Sequence, residues 1–220
     1  MTEPRAESLS TVMVRREDDT VVVTLNCPPD NALDRVALAA LTRTVRQLGE
    51  TPPAGGLVLT GAGAAFCSGL SGPCVAALSP EGREELRRSF HALVETLQQL
   101  ETAVVAAVNG HTHGCGLILA LTADVRLFAD QPESRFGLMD AAGEVLFPEL
   151  ALALVERELG PVAVRRLSLT ETPFSFAEAL SLGLAESCVA PEALLDAAVA
   201  RARSLVAQPG FLALKSLLKS

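Results

Sequence analysis

The sequence predicts an α/β protein whose strands are concentrated in the N-terminal half and whose helices dominate the C-terminal half. Short apolar runs rich in β-branched residues recur at 21–25, 57–60 and 104–108, as expected of buried strands. Each run ends in a turn containing Gly, Pro or Asn, and a segment with helical periodicity follows. After residue 140, every periodic segment is helical.

The predicted elements follow one another without an internal repeat or a low-complexity linker. The first two strands are expected to form a hairpin around the turn Glu17-Asp18-Asp19. The predicted elements, in chain order, are strands 12–15 and 21–25, helix 33–48, strand 57–60, helix 80–100, strand 104–108, helix 117–122 and helices 148–159, 162–169, 175–182 and 191–207.

Composition and charge limit the classes of protein to which the chain can belong. Its 220 residues are 49% hydrophobic, with 8 Phe and no Trp or Tyr, which predicts one domain with an aliphatic core. No apolar run is long enough to span a membrane, and the first residues lack the apolar stretch of a signal peptide, so a cytoplasmic protein is expected. The net charge of -8 argues against nucleic acid as a partner. Five scattered cysteines fit free thiols in a reducing compartment.

Two glycine-rich turns, each following a predicted buried strand, are the strongest local signal. One is GAGAAFCSGL after strand 57–60, and the other is NGHTHGCG after strand 104–108. In the second, Gly114 and Gly116 flank Cys115 at the start of an apolar helix. Backbone N–H groups at a helix N-terminus lack intrahelical partners, and glycine allows a ligand oxygen to approach them closely. The pattern predicts a site for an anion or an oxyanion.

The two turns resemble the oxyanion turns of the crotonase superfamily, the enoyl-CoA hydratases and isomerases. LNCPPDNALD is similar to the first loop and helix of that family, and FSFAEALSLGLAESCVAPEALLDAA is similar to its later helix-turn segment. The resemblance covers residues 12–215 and implies the crotonase fold, a spiral of ββα units with a helical C-terminal region. It divides the chain into a flexible N-terminus (1–11), a crotonase core (12–190) and a shortened C-terminal helical region (191–220).

The resemblance also implies which residues surround an acyl thioester. It places the two donors of the oxyanion hole at the backbone N–H groups of Ser68 and Cys115. It places Ser71 and Leu70 beside the carrier of the acyl group. The residues expected to contact the substrate are Phe66, His113, Gly114, Ile118 and Glu144.

The acidic residues distinguish between the reactions of the family. The hydratases use two carboxylates, and the resemblance places the first at Ile118, which cannot transfer a proton, and the second at Asp140 in FGLMD. A single carboxylate can move a proton from one carbon to another and so shift a double bond. FGLMD also resembles the corresponding motif of the Δ3,Δ2-enoyl-CoA isomerases. We therefore expect an isomerase, with Glu144 and Glu149 as further acids near the pocket.

Several alternatives remain open from the sequence. Asp140 can be a loop carboxylate that caps the next helix. The site can instead catalyse hydration or decarboxylation with His113 or Glu144, or the chain can bind acyl thioesters without turning them over. A nucleophilic Cys115 thiol and a metal site formed by His111, His113 and Cys115 are disfavoured, because the family uses the backbone of this turn.

The carrier and the assembly are also expectations from the resemblance. Family members bind coenzyme A as a substrate carrier and no permanent cofactor, and relatives in polyketide pathways act on a phosphopantetheine arm of an acyl carrier protein. Many members have an aspartate where this chain has Ser71, which weakens the coenzyme A inference. The family forms trimers or dimers of trimers. Asp124 and Arg126, after the buried helix, are expected to form a structural ion pair.

Overall fold

The computed structural model describes residues 10–139, 147–170 and 172–219. Its strands are β1 Val12–Glu17, β2 Thr20–Leu25, β3 Leu57–Gly61, β4 Ala65–Cys67, β5 Val104–Val108, β6 His111–His113, β7 Val125–Ala129, β8 Arg135–Gly137, β9 Phe174–Ser175 and β10 Ser187–Val189. Its helices are α1 Arg35–Glu50, α2 Gly72–Ala76, α3 Pro80–Gln99, α4 Cys115–Thr122, α5 Pro148–Leu159, α6 Pro161–Leu169, α7 Phe176–Ser181, α8 Leu194–Val206 and α9 Phe211–Lys219, with a 3-10 turn at Pro191–Ala193.

The described strands form two sheets. The larger sheet has the order β1-β2-β3-β5-β7-β10, in which only the β1–β2 pair is antiparallel. The smaller sheet has the order β4-β6-β8-β9, with β4, β6 and β8 parallel and β9 antiparallel to β8. The structure thus confirms the predicted α/β class, the hairpin of β1 and β2, and the helical C-terminal region.

The four inner strands of the larger sheet, β2, β3, β5 and β7, are buried on both faces, which explains why they are almost continuously apolar. Along β2, Val21 and Val23 belong to one core cluster and Val22 to the other, as the alternation of side chains along a strand requires. Helices α1, α3, α4 and α5 cover the first face, and α8 covers the second. The two clusters hold the larger sheet, and the strands β3 and β5 that lead into the two glycine-rich turns, in a fixed position.

Helix α4 lies wholly in the interior, and each of its eight residues is buried. It packs so closely on β4 that a Cβ on Gly116 would overlap the carbonyl oxygen of Cys67. Glycine is therefore required at position 116. The contact brings the N-terminus of α4 directly beside the end of β4.

Helix α9 is anchored to the rest of the chain by buried lysines. Lys215 contacts Asp124 at 2.9 Å and donates a hydrogen bond to the Thr102 carbonyl at 2.7 Å. Arg126 instead pairs with Glu158 on α5 at 3.2 Å. The expected pair of Asp124 with Arg126 is therefore wrong, because each residue has a partner from a later helix.

The described residues include neither a membrane-spanning helix nor a metal cluster. None of their helices is long and apolar enough to cross a membrane. No cluster of three or more His, Cys, Asp or Glu side chains among them is arranged to hold a metal ion.

Candidate active site

The carboxyl ends of three parallel strands meet at one edge of the smaller sheet. β4 ends at Cys67, β6 at His113 and β8 at Gly137, and a turn follows each strand. Ligand sites in parallel sheets commonly lie beyond such strand ends. The two glycine-rich turns singled out in the sequence are therefore brought together.

The turn after β4 is fixed by a single parallel bridge between Leu70 and Leu33. Leu33 donates to the Gly69 carbonyl at 2.8 Å, and Ser71 donates to the Leu33 carbonyl at 2.9 Å. Backbone groups of successive residues in an extended segment point to opposite sides. The N–H of Leu70 therefore points away from Leu33.

The amide of Leu70 has no hydrogen-bond acceptor among the residues that the structure describes. Leu70 is only 2% exposed. Buried backbone N–H groups without a partner are rare in folded proteins, because an unmade hydrogen bond costs free energy. This amide is available to a ligand.

The amide of Ser68, by contrast, is already engaged. It donates to the Asp30 carbonyl at 3.2 Å, and the Ser68 hydroxyl donates to the same oxygen at 3.0 Å. A thioester oxygen would have to displace Asp30 to use this N–H. The geometry therefore disagrees with Ser68 as an oxyanion donor and favours Leu70, two residues later.

The turn after β6 presents the N-terminus of α4. Gly114 has φ 52° and ψ -125°, a conformation that favours glycine, and its N–H donates to the Gly137 carbonyl at 3.0 Å. Cys115 is the first residue of α4, so its N–H belongs to the first turn, whose N–H groups point out of the N-terminal end of the helix. Its side chain is buried, at 3% exposure.

The two turns are in direct contact. A Cβ placed on Gly69 would lie 3.2 Å from the His113 carbonyl oxygen and 3.6 Å from the Gly114 Cα. In the chain, Leu70 directly follows Gly69, and Cys115 directly follows Gly114. The arrangement brings two backbone segments with outward N–H groups together, which is what an oxyanion requires.

Two of the predicted substrate residues lie in the apolar core. Phe66 is fully buried, and Ile118 is 2% exposed. Ile118 donates its backbone N–H to the Gly114 carbonyl at 3.3 Å, which places its side chain one turn into α4. Position 118 therefore has a buried apolar side chain where the resemblance to the hydratases places an acid.

The two histidines of β6 differ in their partners. The Nδ1 atom of His111 accepts a hydrogen bond from the Arg135 N–H at 3.1 Å. His113 is half-buried. Its burial is the main cause that lowers its pKa, the charge of the neighbouring His111 lowers it further, and the charge of Asp30 opposes the shift. The influence of Asp30 on His113 was not predicted from the sequence.

A cavity of about 570 Å³ adjoins the first turn. Burial of the Cys27 thiol, and to a smaller extent the negative charge of Asp34, raises the pKa of this thiol to about 11. The thiol is therefore protonated at neutral pH. No Lys or Arg is among the described residues that line the cavity. Its walls include both predicted carrier residues, Leu70 and Ser71, together with Ser68, Cys27, Asp30 and Asp34.

Asn31 positions the loop that carries Asp30 and Leu33, a role that the sequence analysis missed. Its Nδ2 group donates to the carbonyls of Ala62 at 2.8 Å and Ala65 at 2.7 Å, and its Oδ1 atom accepts from the Cys27 N–H at 3.0 Å. Asn31 is 2% exposed and has φ 59°, a conformation that Asn adopts more readily than most residues. An Asn in a Pro-rich loop was the available signal.

Other predicted residues and grooves lie outside this arrangement. Asp140 and Glu144 fall outside the residues that the structure describes. Two further grooves, of about 480 Å³ between α1 and α3 and about 710 Å³ between α3 and α9, contain no residue of either turn.

Comparison with known proteins adds independent information. The sequence family described as Enoyl-CoA hydratase/isomerase matches residues 15–219. The chain is 30% identical over 185 residues to a Mycobacterium tuberculosis protein named "Probable enoyl-CoA hydratase EchA17", covering 84% of this chain and 70% of that protein. The structure is similar to human mitochondrial delta3-delta2-enoyl-CoA isomerase, with a TM-score of 0.85 at 26% identity over 95% of this chain and 83% of the other. It is equally similar to an enoyl-CoA hydratase from Mycobacterium smegmatis, with a TM-score of 0.84 at 28% identity over 95% and 82% of the two chains.

Proposed function

Because the chain belongs to the enoyl-CoA hydratase/isomerase family, whose crotonase fold it shares, we propose that it is an acyl-thioester double-bond isomerase. In this reaction a proton leaves the α carbon of a β,γ-unsaturated thioester, and an enolate forms. A proton then adds at the γ carbon, and the double bond moves into conjugation with the carbonyl group. The negative charge of the intermediate resides mainly on the thioester oxygen.

The observation that carries the proposal is the amide of Leu70, which has no acceptor in the described part of the chain and lies beside the N-terminus of α4. We assign the N–H groups of Leu70 and Cys115 as the two donors to the thioester oxygen. Preorganised donors stabilise developing charge without reorganisation, and loss of one such donor costs about 2.7 to 4 kcal/mol in comparable sites. Leu70 replaces Ser68 in this assignment because the Ser68 amide is bonded to Asp30.

The buried Ile118 side chain supports isomerisation over hydration. Addition of water in this family uses two carboxylates, and an aliphatic side chain at 118 can neither activate water nor deliver a proton. We assign Asp140 as the proton-transfer group on the strength of the FGLMD motif. One carboxylate suffices for isomerisation because the proton it removes is the proton it returns.

The carrier side of the substrate is assigned to the cavity beside Leu70 and Ser71. It opens next to the proposed donors, so a thioester oxygen bound by them would direct the sulfur and the carrier arm into it. Family members act on thioesters of coenzyme A. The same arm occurs on acyl carrier proteins, and both carriers are compatible with the proposed site.

Hydration is the second candidate, because the M. tuberculosis relative is named as a hydratase. In that case a 3-hydroxyacyl thioester would accumulate from an α,β-unsaturated substrate. A chain that binds acyl thioesters without turning over any of them would support the non-catalytic alternative.

The decisive experiment uses two substitutions at one position. Cys115→Pro removes the proposed donor at the first residue of α4, where proline is well tolerated in helices. Cys115→Ala retains the N–H and removes only the thiol. With a 3-enoyl thioester in deuterated water, we expect wild type and Cys115→Ala to form the 2-enoyl isomer and Cys115→Pro to be about a hundredfold slower or worse. An inactive but folded Cys115→Ala variant would favour a nucleophilic thiol instead.

A further inference from the structure

The side chain of His113 has no hydrogen-bond partner among the residues that the structure describes. It is the last residue of β6, and its Nδ1 atom lies 3.5 Å from the position that a Cβ on Gly137 would occupy. Within residues 10–139, 147–170 and 172–219, neither of its ring nitrogens makes a hydrogen bond. His111, on the same strand, has such a bond to Arg135.

The protonation state of His113 defines what it can bind. Burial lowers its pKa, His111 lowers it further, and Asp30 opposes both, so the ring is neutral at neutral pH. A neutral imidazole offers one N–H donor and one nitrogen acceptor. Polar atoms removed from water are normally hydrogen-bonded, and a partly buried group without a protein partner is suited to a ligand that excludes water.

The surroundings of His113 indicate which part of a thioester it meets. The carbonyl oxygen of His113 lies against Gly69. The two chain neighbours of Gly69, Ser68 and Leu70, both line the 570 Å³ cavity. Asp30, whose charge acts on the His113 ring, lines the same cavity. The backbone of His113 therefore lies where the two turns meet, and its ring is near enough to Asp30, a wall residue of the cavity, for the Asp30 charge to act on it.

The carrier arm has a polar group at a fixed distance from the reacting centre. In thioesters of coenzyme A and of carrier proteins alike, the sulfur is joined through two methylene groups to an amide. This amide has one N–H donor and one carbonyl acceptor, which complement the two nitrogens of a neutral imidazole. A simple alkyl thioester of equal length has neither group.

We propose that His113 hydrogen-bonds the amide nearest the sulfur of the substrate and so selects thioesters of a cysteamine arm over thioesters of alkyl thiols. This inference rests on the proposed function, since it requires a thioester bound between the two turns. It makes His113 a specificity-determining residue, separate from the proton transfer assigned to the carboxylate.

The test compares two 3-enoyl thioesters, one of N-acetylcysteamine and one of pentanethiol, which has a similar length and no amide. Wild type is expected to have the higher kcat/KM for the N-acetylcysteamine thioester. In His113→Phe this preference should fall about two- to tenfold, the contribution of one hydrogen bond. His113→Gln, which keeps a donor and an acceptor, should restore part of it. His111→Asn, a change on the same strand outside the proposed contact, should leave it unchanged.

A binding measurement separates this inference from the proposed function. The unreactive butyryl thioesters of the same two thiols can be compared by calorimetry, and the same loss of preference is expected in His113→Phe. If wild type binds with this preference but shifts no double bond, the isomerase proposal fails and the contact stands. An unchanged preference in both His113 variants, or an equal loss of kcat on both thioesters, would overturn the contact.

Discussion

The ammonium group of Lys215 lies 2.9 Å from the carboxylate of Asp124, and both side chains are almost fully buried, at 5% and 8% exposure. The same Asp124 oxygen accepts a hydrogen bond from the Val104 N–H at 2.8 Å. Val104 begins β5, the strand that leads to the second oxyanion turn. The ion pair therefore connects α9 to the strand that supports the proposed site.

Removing one partner of this pair should destabilise the protein strongly. Lys215→Met keeps most of the side-chain volume but leaves the Asp124 charge buried, and such losses cost about 3 to 5 kcal/mol. Urea unfolding of the variant and of wild type measures the difference. The double variant Lys215→Met/Asp124→Asn should lose less than the two single variants combined. A single variant as stable as wild type would show that Lys219, 4.0 Å from the other Asp124 oxygen, neutralises the charge by itself.

Asn31 is expected to be important for both stability and activity. Asn31→Ala removes the donor to the Ala62 carbonyl and the acceptor of the Cys27 N–H, and these unpaired groups should cost about 1 to 3 kcal/mol, whereas the Ala65 carbonyl keeps its bond from Asn109. Activity should fall as well, because the loop sets the bridge of Leu33 with Leu70. Asn31→Gly is the matched control, since it retains the positive φ and loses only the side chain. Equal stability of wild type and Asn31→Ala in urea would contradict the role.

The lowered pKa of His113 predicts a pH dependence of stability. In the window between its folded pKa and its ordinary value of 6.5, the unfolded chain binds more protons than the folded chain, so stability falls as the pH drops through that window. His113→Gln cannot titrate and should lack this contribution. Melting temperatures of both proteins at pH 7.5 and 5 should therefore show the larger decrease in wild type. A decrease of the same size in both would contradict the prediction.

Asp140→Asn tests the proton-transfer assignment. General acid-base groups contribute about 10²- to 10⁴-fold, so the isomerisation rate should fall by at least a hundredfold while the variant remains folded. Glu144→Gln is the matched control and should stay active. The reverse result would assign proton transfer to Glu144 and leave the enzyme class intact. Asp140→Glu should retain measurable activity if the pocket accepts the longer carboxylate of the family.

The resemblance to crotonases predicts a trimer or a dimer of trimers. Helix α9 supports self-association, because its lysines face inward while Leu214 and Leu218 are 54% and 71% exposed. Light scattering should give a mass near three or six times 23.0 kDa. Replacing both leucines by serine should lower that mass if α9 contributes to the contact. A monomeric wild type would refute the prediction.

The sequence predicted the strands β1, β2, β3 and β5 of the larger sheet and missed β7 and β10. Strands β2, β3 and β5 were predictable because they are buried on both faces. The runs at 21–25, 57–60 and 104–108 correspond to β2, β3 and β5 within one residue at either end. The short strands of the smaller sheet escaped prediction. β4, β6 and β8 have three residues each, too few for a hydrophobic period, and they are defined by pairing with one another.

The site was predicted as a pair of turns but not at the level of individual amides. Ser68 and Leu70 lie in the same turn. The Ser68 N–H donates to the Asp30 carbonyl, whereas the Leu70 N–H has no acceptor among the described residues. That difference comes from Asp30 and Leu33, on a loop more than thirty residues earlier in the chain. A contact between residues so far apart in the chain cannot be predicted from the local sequence. The pairing of Asp124 with Lys215, from the last described helix, was unpredictable for the same reason.

Because the proposed donors at Leu70 and Cys115 belong to the main chain, an alanine scan would pass over them. Every alanine variant keeps its peptide N–H, so the scan would show no loss of activity from the two backbone donors. Chemical synthesis that replaces a single amide by an ester would test them, since the ester has an oxygen in place of the N–H and leaves the side chain unchanged. It also follows that residues 70 and 115 can vary freely among homologues without loss of chemistry, provided that the path of the backbone is preserved.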